Sequence, residues 1–144
     1  MSRGRHPDQG RALAEPVARR RGTVHMIAPG KDTLIDLVIA EPGIFAAVTV
    51  RRAQRLCAPP PDLEAEFRTL ISRVRQLPGG APVSREIWWY NRDGRFRFFR
   101  INETGLMELT TDGSPLPARE ANAGKAGKKV TRLAAPAGVP GETR

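Results

Sequence analysis

Two apolar runs separated by three turn residues constrain this chain more than any other feature. Leu34 to Ala40 leads into Glu41-Pro42-Gly43, and Ile44 to Val50 follows, with Arg51 and Arg52 trailing. Both runs are apolar at nearly every position, so they read as a hairpin of central strands covered on two faces, not as one solvated side of a sheet. Helices must supply the covers. Leu63, Phe67, Leu70, Ile71, Val74 and Leu77 recur at three- and four-residue spacing, with Asp62, Glu64 and Glu66 in the first turn and Arg73 and Arg75 in the last. That pattern predicts one amphipathic helix ended by Leu77-Pro78-Gly79-Gly80. Gln9 to Arg21 predicts a second helix around Leu13 and Val17, closed by Gly22. Pro16 is expected to kink or shorten it, since an interior proline loses a backbone hydrogen bond and clashes with the preceding turn, at about 3 kcal/mol.

Thr23 to Ile27 alternates as a further strand, and Ala28-Pro29-Gly30-Lys31 breaks it from the hairpin. A second hairpin pairs Glu86 to Tyr90 with Phe96 to Ile101 around Asp93-Gly94, a dipeptide suited to tight turns. Six of the eight aromatics lie there. Trp88 and Tyr90 face opposite to Trp89, so a face without a helix would expose rings able to seal a homodimer through residues 86–101 or to stack on unpaired bases. Core packing is the alternative. Leu106 to Leu109 is a candidate for a short last strand, so that two or three strands follow the second predicted helix. The expected fold class is α/β, in the order α-β-β-β-α-β-β, with a central mixed sheet and flanking helices.

With 144 residues, 40% of them hydrophobic, the chain holds one core. The single Cys57 excludes an internal disulfide, and no apolar run approaches the roughly 20 residues that span a bilayer. A cytoplasmic protein without membrane contact is expected. The net charge of +9 is unevenly placed: residues 1–22 and 113–144 each carry +4, which leaves +1 for the middle. The expected organisation is a flexible basic N-terminus over 1–7, a folded domain over 8–112 and a disordered basic tail over 113–144. Basic ends hold nucleic acid without reading it. Arg19, Arg20 and Arg21, with Lys125, Lys128 and Lys129 in the tail, are the candidates at the ends, and Arg51, Arg52 and Arg55 are those of the folded part. A composition biased by the genome would produce the same tails without a partner.

The segment Asp36-Leu37-Val38-Ile39-Ala40, its turn, and Thr49-Val50-Arg51 resemble the core of the PD-(D/E)XK nuclease superfamily, most closely its archaeal Holliday junction resolvase-like branch. In that family an Asp on one strand faces a Glu-X-Lys on the next, and the likeness covers about residues 8–101. It implies a restriction-endonuclease-like core, with Asp36, Thr49 and Arg51 at the metal and acid-base corner and Glu15 near the helical acid. Thr49 departs from the pattern. A threonine hydroxyl cannot replace a carboxylate as a ligand of Mg²⁺, and arginine stays charged where lysine can transfer a proton, although it can hold a phosphate. Asp36 capping strand-start amides and Thr49 serving as an ordinary strand residue are the structural alternatives.

The resemblance therefore implies a catalytically inactive nuclease-like domain, without cofactor, that binds nucleic acid, DNA first, by its structure or backbone. Two alternatives stay open. One is an active endonuclease with its acid moved to Glu64 or Glu66, which alone would need Mg²⁺; the other is a pseudo-nuclease subunit that docks a protein partner. His6 and His25 lie on either side of the first helix and do not suggest a shared metal, and Cys57 has no histidine near it in sequence.

Overall fold

The strands lie side by side in chain order, β1 to β6, across a single mixed sheet. The computed structural model describes residues 7–117. Its elements are α1 (Pro7–Arg19), β1 (Thr23–Met26), β2 (Leu37–Glu41), β3 (Ile44–Arg52), α2 (Pro60–Glu66), α3 (Arg68–Arg75), β4 (Val83–Tyr90), β5 (Phe96–Ile101) and β6 (Leu106–Leu109). Neighbouring strands are antiparallel except β3 and β4, which run parallel. Only that connection carries helices, because parallel neighbours need a long crossover where antiparallel ones need a turn. The architecture is the expected α/β one with a mixed sheet and flanking helices. Its order is α-β-β-β-α-α-β-β-β, not α-β-β-β-α-β-β, because the second helix is divided and a sixth strand is formed.

The β2–β3 turn is tighter than the sequence suggests. Glu41 pairs directly with Ile44, which leaves a two-residue turn of Pro42 and Gly43, and Gly43 takes φ 78°, open to glycine at no steric cost. Leu34 and Ile35, expected in the strand, precede it, and Asp36 extends the ladder on both sides, its amide 2.8 Å from the Val48 carbonyl and its carbonyl 3.0 Å from the Ile27 amide.

Pro16 does not interrupt α1. The proline is exposed while Ala14 and Ala18 are fully buried, so the unmade hydrogen bond falls on the wet side and two small residues hold the helix against β1, β2 and β3. The predicted single helix over 62–77 is instead two. Phe67 leaves helical geometry at φ −107° and ψ 30°, which sets its ring 5.0 Å from Trp89, while α3 buries Ile71 and Val74.

Each face of the sheet has its own core. Ala14, Ala18, Leu37, Ile39, Val48, Val50 and Trp88 pack under α1; Leu63, Ile71, Val74, Ile87, Trp89 and Phe99 pack under α2 and α3. Trp88, Trp89 and Phe99 are wholly buried, and Tyr90 and Phe98 nearly so. The exposed rings on which a dimer through 86–101 was expected to rest are therefore not there: alternate side chains of the hairpin feed the two cores. The hairpin of β2 and β3 is covered less evenly than its composition suggests, since Phe45 is 51% exposed.

Residues 113–117, placed by sequence in the tail, fold back on β6, with the Leu116 amide 2.8 Å from the Glu108 carbonyl. Residues 1–6 and the tail from 118 onward, Lys125, Lys128 and Lys129 included, lie outside the described residues. Among the described residues no helix is long and apolar enough to cross a membrane.

Candidate functional site

Asp36 stands at the start of β2, beside the end of β3, and only 8% of it is exposed. Its Oδ2 accepts from the Val50 amide at 2.7 Å and from Arg51 Nη1 at 3.0 Å. Its Oδ1 accepts from Arg11 Nη1 at 3.0 Å. Arg11 also donates to the Ile27 carbonyl, and Arg51 to the Val50 carbonyl at 2.8 Å. One carboxylate thus answers two guanidiniums. The sequence reading brought Asp36 and Arg51 together and missed Arg11, although its spacing of three and seven from Ala14 and Ala18 places it on the buried face of α1.

The other two residues of the expected corner are spent elsewhere. Thr49 is 1% exposed, and its hydroxyl donates to the Leu34 carbonyl at 2.9 Å. Glu15 pairs with Arg19 one turn along the surface of α1. Glu64, a candidate for a relocated acid, lines a surface pocket with Pro61, Arg68 and Arg75, apart from Asp36. Mg²⁺ takes several oxygen ligands, usually with one or two carboxylates among them. The donor set at Asp36 does not fit it, because both carboxylate oxygens already accept from cations or an amide. Among the described residues no group of three or more His, Cys, Asp or Glu is placed to hold a metal ion.

A second buried carboxylate, Glu86, was not foreseen. It is fully enclosed and takes both Arg21 Nη1 (2.9 Å) and Nη2 (3.0 Å), Ser84 Oγ (2.9 Å) and Trp88 Nε1 (3.0 Å). Arg21 also bonds Glu41 at 2.7 Å and 3.1 Å, and 4% of its side chain is exposed. Burial pushes the Arg21 guanidinium down, but hydrogen bonds and charge from Glu86 and Glu41 outweigh it, so its pKa lies above the ordinary value. Arg21 is an internal tie and not a phosphate contact, which corrects the sequence reading. An acid directly before the apolar run Ile87-Trp88-Trp89-Tyr90 of β4 was the available signal, since a buried carboxylate demands a partner.

More arginines are absorbed in the same way. Arg85 donates to the carbonyls of Arg75, Leu77 and Ile101, closing the end of α3, and Arg97 bonds the Leu56 and Ala58 carbonyls at 2.7 Å each besides Glu108. Of the arginines that remain exposed, Arg52, Arg55, Arg92 and Arg95 lie near the carboxyl ends of β3 and β4, and Arg68 and Arg73 lie on α3. Arg51 keeps 34% of its side chain exposed and Arg55, loosely paired with Asp62 at 3.5 Å, keeps 66%. Arg52, Gln54, Asn91, Arg92 and Asp93 line a pocket of about 360 Å³ at this edge. Arg19 and Arg20 are also exposed, but at the far end of α1 from Arg11. His25 and Cys57 are exposed as well. No family model matches the chain, and no curated protein is similar to it in sequence.

Proposed function

We propose that this is a nuclease-like domain that does not cut and that holds nucleic acid, DNA in the first place, by its phosphate backbone. The succession of three antiparallel strands, helices and a parallel fourth strand supports a restriction-endonuclease-like core. The observation that carries the reading is the double guanidinium clamp on Asp36. Cations of the protein itself occupy the carboxylate that a metal would need, while Arg51, Arg52 and Arg55 continue outward along the same edge. Guanidinium forks match phosphate oxygens in geometry and carry no base preference.

The test pairs a cleavage assay on branched and linear DNA, with Mg²⁺ or Mn²⁺, with binding followed by fluorescence anisotropy. Binding without cleavage is the expected result, weakened by added salt. Cleavage that Asp36→Ala abolishes would overturn the inactive reading, and absence of binding at low salt would overturn the nucleic-acid one.

A further inference from the structure

We propose that the pocket between the ends of β3 and β4 binds a phosphate group, with the Arg52 and Arg92 guanidiniums as charged donors and Gln54 and the Asn91 carboxamide as neutral ones. The source of the phosphate rests on the nucleic-acid reading; the pocket itself does not.

Both walls are fixed by backbone. Arg52 sits in register with Tyr90, and the Ala53 amide reaches the Tyr90 carbonyl at 2.8 Å. The turn from Asn91 to Arg95 is closed by Asn91 N to Arg95 O at 3.1 Å and Gly94 N to Asn91 O at 3.0 Å. Asn91 Oδ1 accepts the Asp93 and Arg95 amides at 3.0 Å each, which uses its acceptor and leaves its Nδ2 as the polar group on offer. Among the described residues Arg52 and Arg92 make no side-chain hydrogen bond, unlike the arginines buried under the sheet. The lining is thus rich in unspent donors on a rigid frame, the arrangement an oxyanion needs. Asp93 is its one acid and brings the lining to +1. No aromatic or aliphatic side chain lines the pocket, so nothing in it favours a base, and the group recognised is the phosphate.

The experiment is a titration of the full-length ¹⁵N-labelled protein with inorganic phosphate, with chloride at equal ionic strength as the control. Saturable shifts of the amides of Ala53, Gln54, Asn91, Arg92 and Asp93 are expected. Arg52→Gln and Arg92→Gln should each weaken binding about tenfold, as for loss of a charged hydrogen bond; Asp93→Asn should tighten it, and Arg68→Gln on α3 should change nothing. Shifts that chloride reproduces, or a folded R52Q/R92Q protein that binds phosphate as wild type does, would overturn the proposal. Displacement of phosphate by a dinucleotide with one internal phosphodiester assigns the site to a strand; displacement only by a nucleoside monophosphate assigns it to a free phosphomonoester, and either result supports the site. Phosphate binding without affinity for DNA keeps the pocket and sinks the nucleic-acid reading. DNA binding without phosphate at these residues does the reverse.

Discussion

Removing the Asp36 carboxylate would leave Arg11 and Arg51 without their shared counter-charge and the Val50 amide without its acceptor. Breaking a buried pair from one side costs about 3–5 kcal/mol, so Asp36→Ala should lower the denaturation midpoint sharply at an unchanged slope on denaturant. Rebuilding the nuclease motif should fail for a related reason. Thr49→Glu with Arg51→Lys places a carboxylate where a 1%-exposed hydroxyl now meets the Leu34 carbonyl. The double variant should be less stable than wild type and show no Mg²⁺ heat by calorimetry. Asp112, in the turn that follows β6, offers a pH test. Hydrogen bonds from the Thr110 and Ser114 hydroxyls, with the Ser114 amide, hold its carboxyl down at about 2 against an ordinary 3.8. A depressed carboxyl favours the folded turn at any pH above its unfolded value, and that contribution disappears as pH falls through the folded one. The side-chain carbon resonance of Asp112 should therefore titrate near 2, and Ser114→Ala should move it upward.

Among the elements, α1 carries a visible cost in Pro16. The residue is exposed and deprives the helix of one backbone hydrogen bond without adding to the core. Pro16→Ala should stabilise the protein, by up to about 3 kcal/mol in chemical denaturation. The β4–β5 hairpin has the opposite standing. Trp88 lies edge-on to Phe98 at 4.8 Å, Trp89 lies edge-on to Phe99 at 5.3 Å, and the two tryptophans serve different cores. Aspartate at Trp88, Trp89 or Phe98 should unfold the chain and not release a folded monomer, as circular dichroism would register. Alanine at either tryptophan should cost about 3–5 kcal/mol.

For the molecule as a whole, charge counted along the chain and charge offered to a partner differ. Arg11, Arg21, Arg85 and Arg97 are consumed by buried carboxylates and carbonyls, so much of the folded part's basicity never reaches solvent. Of the exposed remainder, Arg52, Arg55, Arg92 and Arg95 lie at one edge and Arg19, Arg20, Arg68 and Arg73 on or just after the helices, while residues 118–144 add Arg119, Lys125, Lys128, Lys129, Arg132 and Arg144 against Glu120 and Glu142. Deleting 118–144 should flatten the plot of log affinity for duplex DNA against log salt and leave the preferred DNA shape unchanged. The slope should fall by close to one unit for each phosphate that the tail had neutralised. An unchanged slope would mean that these lysines and arginines stay clear of the DNA.

The elements and their kind were legible in the chain before any packing was known. Period-two and period-three-to-four apolar spacing, Gly43 and Gly94 at positive φ, and the helix-stopping Pro78-Gly79-Gly80 are local signals, and backbone geometry acts over a few residues. Asp36 and Arg51 could be singled out in the same way, and they do meet across adjacent strands. Which charges are internal was a matter of tertiary packing alone. Arg11 meets Asp36 from 25 residues away and Arg21 meets Glu86 from 65, separations that no periodicity encodes. Packing governed the fate of the aromatics too, because whether alternate faces of a strand meet helices or water depends on where α1, α2 and α3 dock. A side chain's type sets what it can bond, and only packing chooses the partner and removes the competing water.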